Sequence, residues 1–260
     1  KIGGFSLPTY GVMIALAFVA AMAIAARLGE RSGLDKERIT NLGIYCALMG
    51  LLGAKLLMVL FDLPYFLGRP SELFSLNTLQ AAGVFQGGLV LAVAFAFYYT
   101  HRYAMPWLTT FDAFAPGIAI GHAIGRLGCL AAGCCWGKIC DMPWAVVYRN
   151  RDATTGVPLN RPLHPTQLYE AVCELAVFAF LYWRAGRPHR PGTLIGLYLT
   201  VSSTLRFIVE FWRYHEQALP FGWPFSLTQW ISAGLALLGG WILFAGRRTP
   251  VPAVRRVARA

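Results

Sequence analysis

The sequence predicts an all-α integral membrane protein with seven transmembrane helices. The N-terminus lies outside, the C-terminus inside, and a small head loop projects on the outer (periplasmic) face. Three observations predict this. First, 57% of the 260 residues are hydrophobic and only 13% are charged. Second, residues 2–26, 73–101 and 217–246 contain no Asp, Glu, Lys or Arg, each for longer than the roughly 20 residues a spanning helix needs. Third, the cations are unevenly placed. With the N-terminus outside, 13 Lys and Arg fall on inner segments and 7 on outer ones, as the positive-inside rule requires. The net charge of +11 therefore reads as membrane topology and contact with anionic lipid, and no nucleic-acid partner is expected.

The helices follow in order. The first is residues 2–26 and the third 73–101, both free of charge. Between them, residues 41–61 form the second, with Lys55 isolated inside it. Residues 111–133 form the fourth and carry Arg126. Residues 166–183 are the fifth, 192–212 the sixth with Arg206, and 217–246 the last. No repeat of 20–50 residues appears, so residues 1–260 read as one membrane domain. The one substantial polar insertion is residues 137–165. There, Trp144-Ala-Val-Val-Tyr-Arg-Asn150 reads as a short strand and Thr154–Pro162 as a turn.

Arg126 and Arg206 are the most informative residues. A guanidinium keeps its charge in a bilayer, so it needs an anion or a watered cavity. Two such residues suggest a polar chamber for an acidic group such as a lipid phosphate. Arg126 lies about 13 residues into its helix, a rise of roughly 20 Å, in the outer half of the membrane. Helix direction brings Tyr10, Gln86, His164, Gln167, Tyr169, Glu170 and Glu174 to a similar depth. Arg206 and Glu210 are four residues apart and share a face, either as a structural ion pair or as an arginine held ready for a phosphate. His122 lies one turn before Arg126. Gly117, Gly121 and Gly125 recur every four residues, the pattern of close helix packing. Four of the six cysteines cluster as C-x4-C-C-x4-C from Cys129 to Cys140. This is not a zinc-finger spacing, and no metal or cofactor is expected.

Several motifs carry a family resemblance. Gly125-Arg126-Leu127-Gly128 is followed by Trp136-Gly137. His164-Pro165-Thr166-Gln167-Leu168-Tyr169-Glu170 is followed by Leu205-Arg206-Phe207-Ile208-Val209-Glu210-Phe211-Trp212-Arg213. Tyr10-Gly11, Gly87-Gly88-Leu89 and Asp112–Pro116 also match. In that order, over nearly the whole chain, they resemble the prolipoprotein diacylglyceryl transferase family. The resemblance implies a seven-helix enzyme of the bacterial inner membrane. Such an enzyme moves the diacylglyceryl group of phosphatidylglycerol onto the thiol of a preprolipoprotein lipobox cysteine and releases glycerol-1-phosphate. It implies Arg126 and Arg206 as the phosphate clamp, Glu210 as their partner and Tyr10 as a pocket residue; Gln86, Gly87, Gly88, Gln167, Tyr169 and Glu170 are expected to line the substrate site with them.

The chain departs from the family pattern in its polar lining. Gln86 stands where the family commonly has a His thought to be the base. Cys129, Ala132 and Cys134 replace two Asn and an acidic residue. His122 is then the expected thiol-activating base and His164 the next candidate, because an imidazole titrates near neutral pH. Two other readings stay open on the residues: a related phospholipid-dependent transferase with a different acceptor, and a non-catalytic lipid binder.

Overall fold

The computed structural model describes residues 9–75, 78, 83–150, 155–214 and 223–246. Among them are eight α-helices: α1 (Thr9–Arg31), α2 (Lys36–Phe61), α3 (Leu63–Gly68), α4 (Phe85–Arg102), α5 (Trp107–Ala132), α6 (Thr166–Ala185), α7 (Thr193–Val209) and α8 (Leu227–Gly246). One short antiparallel hairpin pairs β1 (Val146–Val147) with β2 (Pro162–Leu163). Five helical segments are long and apolar enough to cross a membrane: α1, α2, α5, α8 and Thr193–Trp212, which is α7 with the 3-10 turn that continues it. Of the other two expected spans, α4 has 18 residues with polar ends at Gln86, His101 and Arg102. The other, α6, buries Glu170 and Glu174. Many large apolar side chains face outward, with Leu51 66% and Leu237 76% exposed. An outward apolar surface this extensive is what a lipid-facing protein presents. The basic tail beyond Gly246 lies outside the described residues.

The chain forms two compact units, residues 29–110 and residues 1–28 with 111–260. In the first, α2 and α4 touch at their backbones. A Cβ on Gly53 would collide with the Gly87 carbonyl oxygen, and one on Gly88 would come within 2.6 Å of the Gly50 oxygen. Gly87 and Gly88, expected to bind substrate, thus let two helices close on each other. Asp35 caps α2 by accepting the Glu37 N–H at 2.8 Å, satisfying a donor the helix start leaves free.

In the second unit α5 is central. Gly117 packs on the Ala21 carbonyl of α1, where a Cβ would lie 2.5 Å away, and Gly121 faces Ala17 and Ala21. The glycine track is therefore a packing seam. On its other side Ala115 and Ala119 meet Val177 and Leu181 of α6 and Leu194 of α7 in a fully buried core. Asp112 joins α5 to α7. Its carboxylate accepts the N–H groups of Gly192 at 2.7 Å and Ile195 at 2.8 Å, where the α7 backbone would otherwise be unsatisfied. At the opposite ends of these three helices their polar residues meet.

Candidate active site

Glu170, one turn into α6 and 4% exposed, is the centre of the polar cluster. Arg126 Nε lies 2.6 Å from Glu170 Oε2, Arg206 Nη1 3.3 Å from Oε1 and Arg213 Nη1 3.7 Å from Oε1. One carboxylate thus holds three guanidiniums that arrive from α5, α7 and the turn after α7. Arg206 also pairs with Glu210, which in turn accepts the Ser226 hydroxyl at 2.9 Å. The expected i, i+4 pair is present, but Glu170 rather than Glu210 links the arginines. Three cations face Glu170, Glu174 and Glu210, so the cluster is balanced in formal charge.

His122 adjoins this cluster. Its Nε2 accepts the Arg126 Nε–H at 3.2 Å, and its Nδ1 lies 3.2 Å from Glu174 Oε1. With Nε2 accepting, the ring proton sits on Nδ1 and is donated to Glu174. A carboxylate that fixes the tautomer in this way prepares the other nitrogen to receive a proton. Glu174 is held in turn by the Ser202 hydroxyl of α7. A crevice of about 10 Å³, room for no more than a water, lies between Glu170, Cys173, Glu174, Leu205, Arg206 and Val209.

The remaining predicted residues take other stations. Tyr10, in the first turn of α1, lies against Gly128, just beyond Arg126 in α5, where a Cβ on Gly128 would come 3.4 Å from the Tyr10 ring. Gln167 is 1% exposed and donates to the Cys134 carbonyl at 2.6 Å and the Tyr148 hydroxyl at 3.2 Å. His164 Nδ1 is 3.1 Å from the Tyr169 hydroxyl, which accepts the Trp144 indole N–H at 2.8 Å. His164 and Tyr169 thereby tie the loop that carries Trp144 to the start of α6. Gln86 is exposed in the first turn of α4, in the other compact unit.

Two groups were not assigned to the site from the sequence. Arg213 reads as an outer-loop cation, yet the 3-10 turn Glu210–Trp212 carries it back to Glu170. The signal was its place in the R-x3-E-x2-R run. The thiols of Cys129, Cys134 and Cys135 also converge, all within 4.8 Å of one another. Hydrogen bonds from Cys129 and Cys134, backed by Arg213 and Arg126, favour the thiolate at Cys135 and hold it well below the usual thiol range. At Tyr148, burial pushes the phenol up, with the Gln167 hydrogen bond opposing.

A clamp of arginines with a His–carboxylate pair beside it suits an anionic ester and a proton transfer. Comparisons with known proteins identify the family. Residues 1–245 match the family model described as prolipoprotein diacylglyceryl transferase. The chain is 33% identical over 254 residues to the phosphatidylglycerol–prolipoprotein diacylglyceryl transferase of Bordetella parapertussis, covering 95% of this chain and 94% of that one. It is 34% identical over 251 residues to the enzyme of that name from Vibrio vulnificus, strain CMCP6, with 94% and 89% covered. For that of Clostridium tetani it is 30% over 210 residues, with 81% and 82% covered. With the arginines around Glu170 standing on the motifs that first suggested it, the chain belongs to the prolipoprotein diacylglyceryl transferase family.

Proposed function

We propose that this protein transfers the diacylglyceryl group of phosphatidylglycerol to the thiol of a lipobox cysteine in preprolipoproteins, releasing glycerol-1-phosphate. It works in the inner membrane of a bacterium as seven spans, α1, α2 and α4 to α8, with the N-terminus outside and the C-terminus inside. The observation that carries the reading is the junction at Glu170, where Arg126, Arg206 and Arg213 meet beside the His122–Glu174 pair.

The arginines grip the lipid phosphate. A planar guanidinium bonds two phosphate oxygens at once, which a lysine ammonium does not. Glu170 keeps the three cations aimed together before the lipid arrives, so little reorganisation is needed at the moment of reaction. The acceptor thiol gives its proton to His122 Nε2, while Glu174 keeps the Nδ1 proton. Arg126 Nε–H is shared between His122 and Glu170, and Glu170 retains it as Nε2 is protonated. The thiolate sulfur then attacks the glyceryl carbon that bears the phosphate. The S–C bond forms, the C–O bond to phosphate breaks, and the charge that develops on the leaving phosphate falls among the arginines.

The test is to incubate detergent-purified protein with phosphatidylglycerol and a lipobox peptide and to weigh the products by mass spectrometry. Peptide carrying a diacylglyceryl group together with free glycerol-1-phosphate is the expected result. Intact lipid and unmodified peptide, from folded protein, would sink the reading.

A further inference from the structure

Cys129 lies in the last turn of α5, and Cys134 and Cys135 follow the turn at Gly133. All three are free, half-buried thiols. Adjacent cysteines in extended chain point to opposite sides, so their spacing argues against a shared ligand. The backbone here is not extended. Gly133 has φ 70° and Cys135 has φ 61°, the left-handed conformation that side-chain-bearing residues rarely adopt. The chain folds back, and the Cys134 N–H bonds the Cys129 carbonyl at 3.1 Å.

The fold-back is held from outside. Thr155 Oγ1 donates to the Gly133 carbonyl at 2.7 Å, Gln167 Nε2 to that of Cys134 at 2.6 Å, and Thr166 Oγ1 to that of Cys135 at 2.8 Å. Three successive carbonyls are thus each fixed by a side chain from another segment. This is the kind of supporting shell that keeps metal ligands in place.

We propose that Cys129, Cys134 and Cys135 form a three-thiolate site for one thiophilic divalent cation of the zinc class, with a fourth position open to the acceptor thiol. Zinc–thiolate bonds of about 2.3 Å in a tetrahedron set the sulfurs roughly 3.8 Å apart, within the 4.8 Å spread of the free thiols. Three thiolates around a divalent cation leave one negative charge, and Arg126 and Arg213 both act on the Cys135 sulfur. A thiol that coordinates such a cation loses its proton. The role rests on the transferase reading. The acceptor S–H proton passes to His122, a metal–sulfur bond forms, and the sulfur then attacks carbon while the C–O bond to phosphate breaks. The product thioether is a weak ligand and departs. The cation is neither oxidised nor reduced.

The experiment uses the full chain, purified under reducing conditions. Chelator-stripped protein is titrated with cobalt(II), and zinc is then added in competition. The expected result is one equivalent bound, with intense sulfur-to-cobalt absorption that zinc abolishes. Cys129→Ser, Cys134→Ser and Cys135→Ser each weaken the band, while Cys46→Ser, Cys140→Ser and Cys173→Ser leave it intact. In unmutated protein zinc slows alkylation of the first three thiols and not of the others, which guards against variants that fail to fold. No thiolate band, a band that survives loss of all three, or a disulfide between any two of them in the purified protein overturns the site. Transfer to the lipobox peptide should fall at least tenfold on stripping and return with zinc. If stripped protein transfers at full rate, the acceptor role is overturned and the site stands. If loaded protein binds metal yet never splits phosphatidylglycerol, the transferase reading fails, and the role falls with it.

Discussion

Glu170 and Arg126, from neighbouring helices, are joined at 2.6 Å between Oε2 and Nε, and the other oxygen of the same carboxylate faces Arg206 and Arg213. Replacing Glu170 by Gln removes the charge that lets three cations share one buried place. Breaking a buried pair of this kind costs about 3–5 kcal/mol. Glu170→Gln is therefore expected to lower the unfolding temperature clearly and to cut transfer by about a hundredfold or more. Wild-type melting and wild-type rate together would remove Glu170 from the centre of the site.

Arg206→Lys keeps the positive charge beside Glu170 and Glu210 but loses the planar fork. The variant is expected to fold and to lose at least tenfold in kcat/KM for phosphatidylglycerol. Arg206→Ala leaves two carboxylates facing each other and destabilises the protein as well, so it is the less informative change. Full activity in Arg206→Lys would refute a bidentate grip on phosphate.

For His122, the measurement is the rate of His122→Gln between pH 6 and 9. Without a base the rate follows the thiolate fraction of the acceptor. That fraction rises with pH up to a thiol pKa of about 8.5. The variant is expected to be nearly inactive at pH 7 and to recover partly toward pH 9. Glu174→Gln removes the acceptor for Nδ1–H and should show a milder form of the same profile. A His122→Gln enzyme at wild-type rate throughout the range would dismiss the pair as structural.

Gly87→Ala tests the packing of α2 on α4. Its Cβ would strike the Gly53 carbonyl and lie 2.5 Å from Leu57 Cβ. Forcing the helices apart is expected to cost about 1–3 kcal/mol, read as a lower melting temperature. Unchanged melting with altered lipid affinity would instead restore Gly87 as a binding residue.

Reporters fused behind the last residue test topology. Activity is expected only from a reporter that works in the cytoplasm, as the inner excess of cations requires. A periplasmic signal would reverse the orientation of every span.

The pairs within one helix were legible in the sequence because helical spacing dictates them: His122 with Arg126, Arg206 with Glu210. The seam of Gly117 and Gly121 was legible for the same reason. Contacts between helices were not. Glu170 could be assigned a depth but not three partners, since neither helix rotation nor neighbour identity is written in spacing. Helix boundaries were missed where proline begins a helix. Leu63–Gly68 has proline in its first turn, a position that suits a helix start, yet falls between the second and third expected helices. The third expected helix, placed at 73–101, starts only at Phe85. The meeting of Cys134 with Cys135 depends on left-handed backbone at Gly133 and Cys135, which residue type forecasts for the glycine alone.

On the proposed topology, the way charges are partnered also bears on how the chain enters the membrane. Arg206 travels with Glu210 on the same stretch of helix, so α7 carries its counter-charge into the bilayer during synthesis. Arg126 does not. Its carboxylate belongs to α6, 44 residues later in the chain, and emerges from the ribosome only after the outer loop. Until then α5 holds a cation whose partner does not yet exist, and burial in lipid is costly. On the proposed topology, stable insertion of α5 is expected to wait for α6, and the two to settle as a pair once the loop between them has crossed.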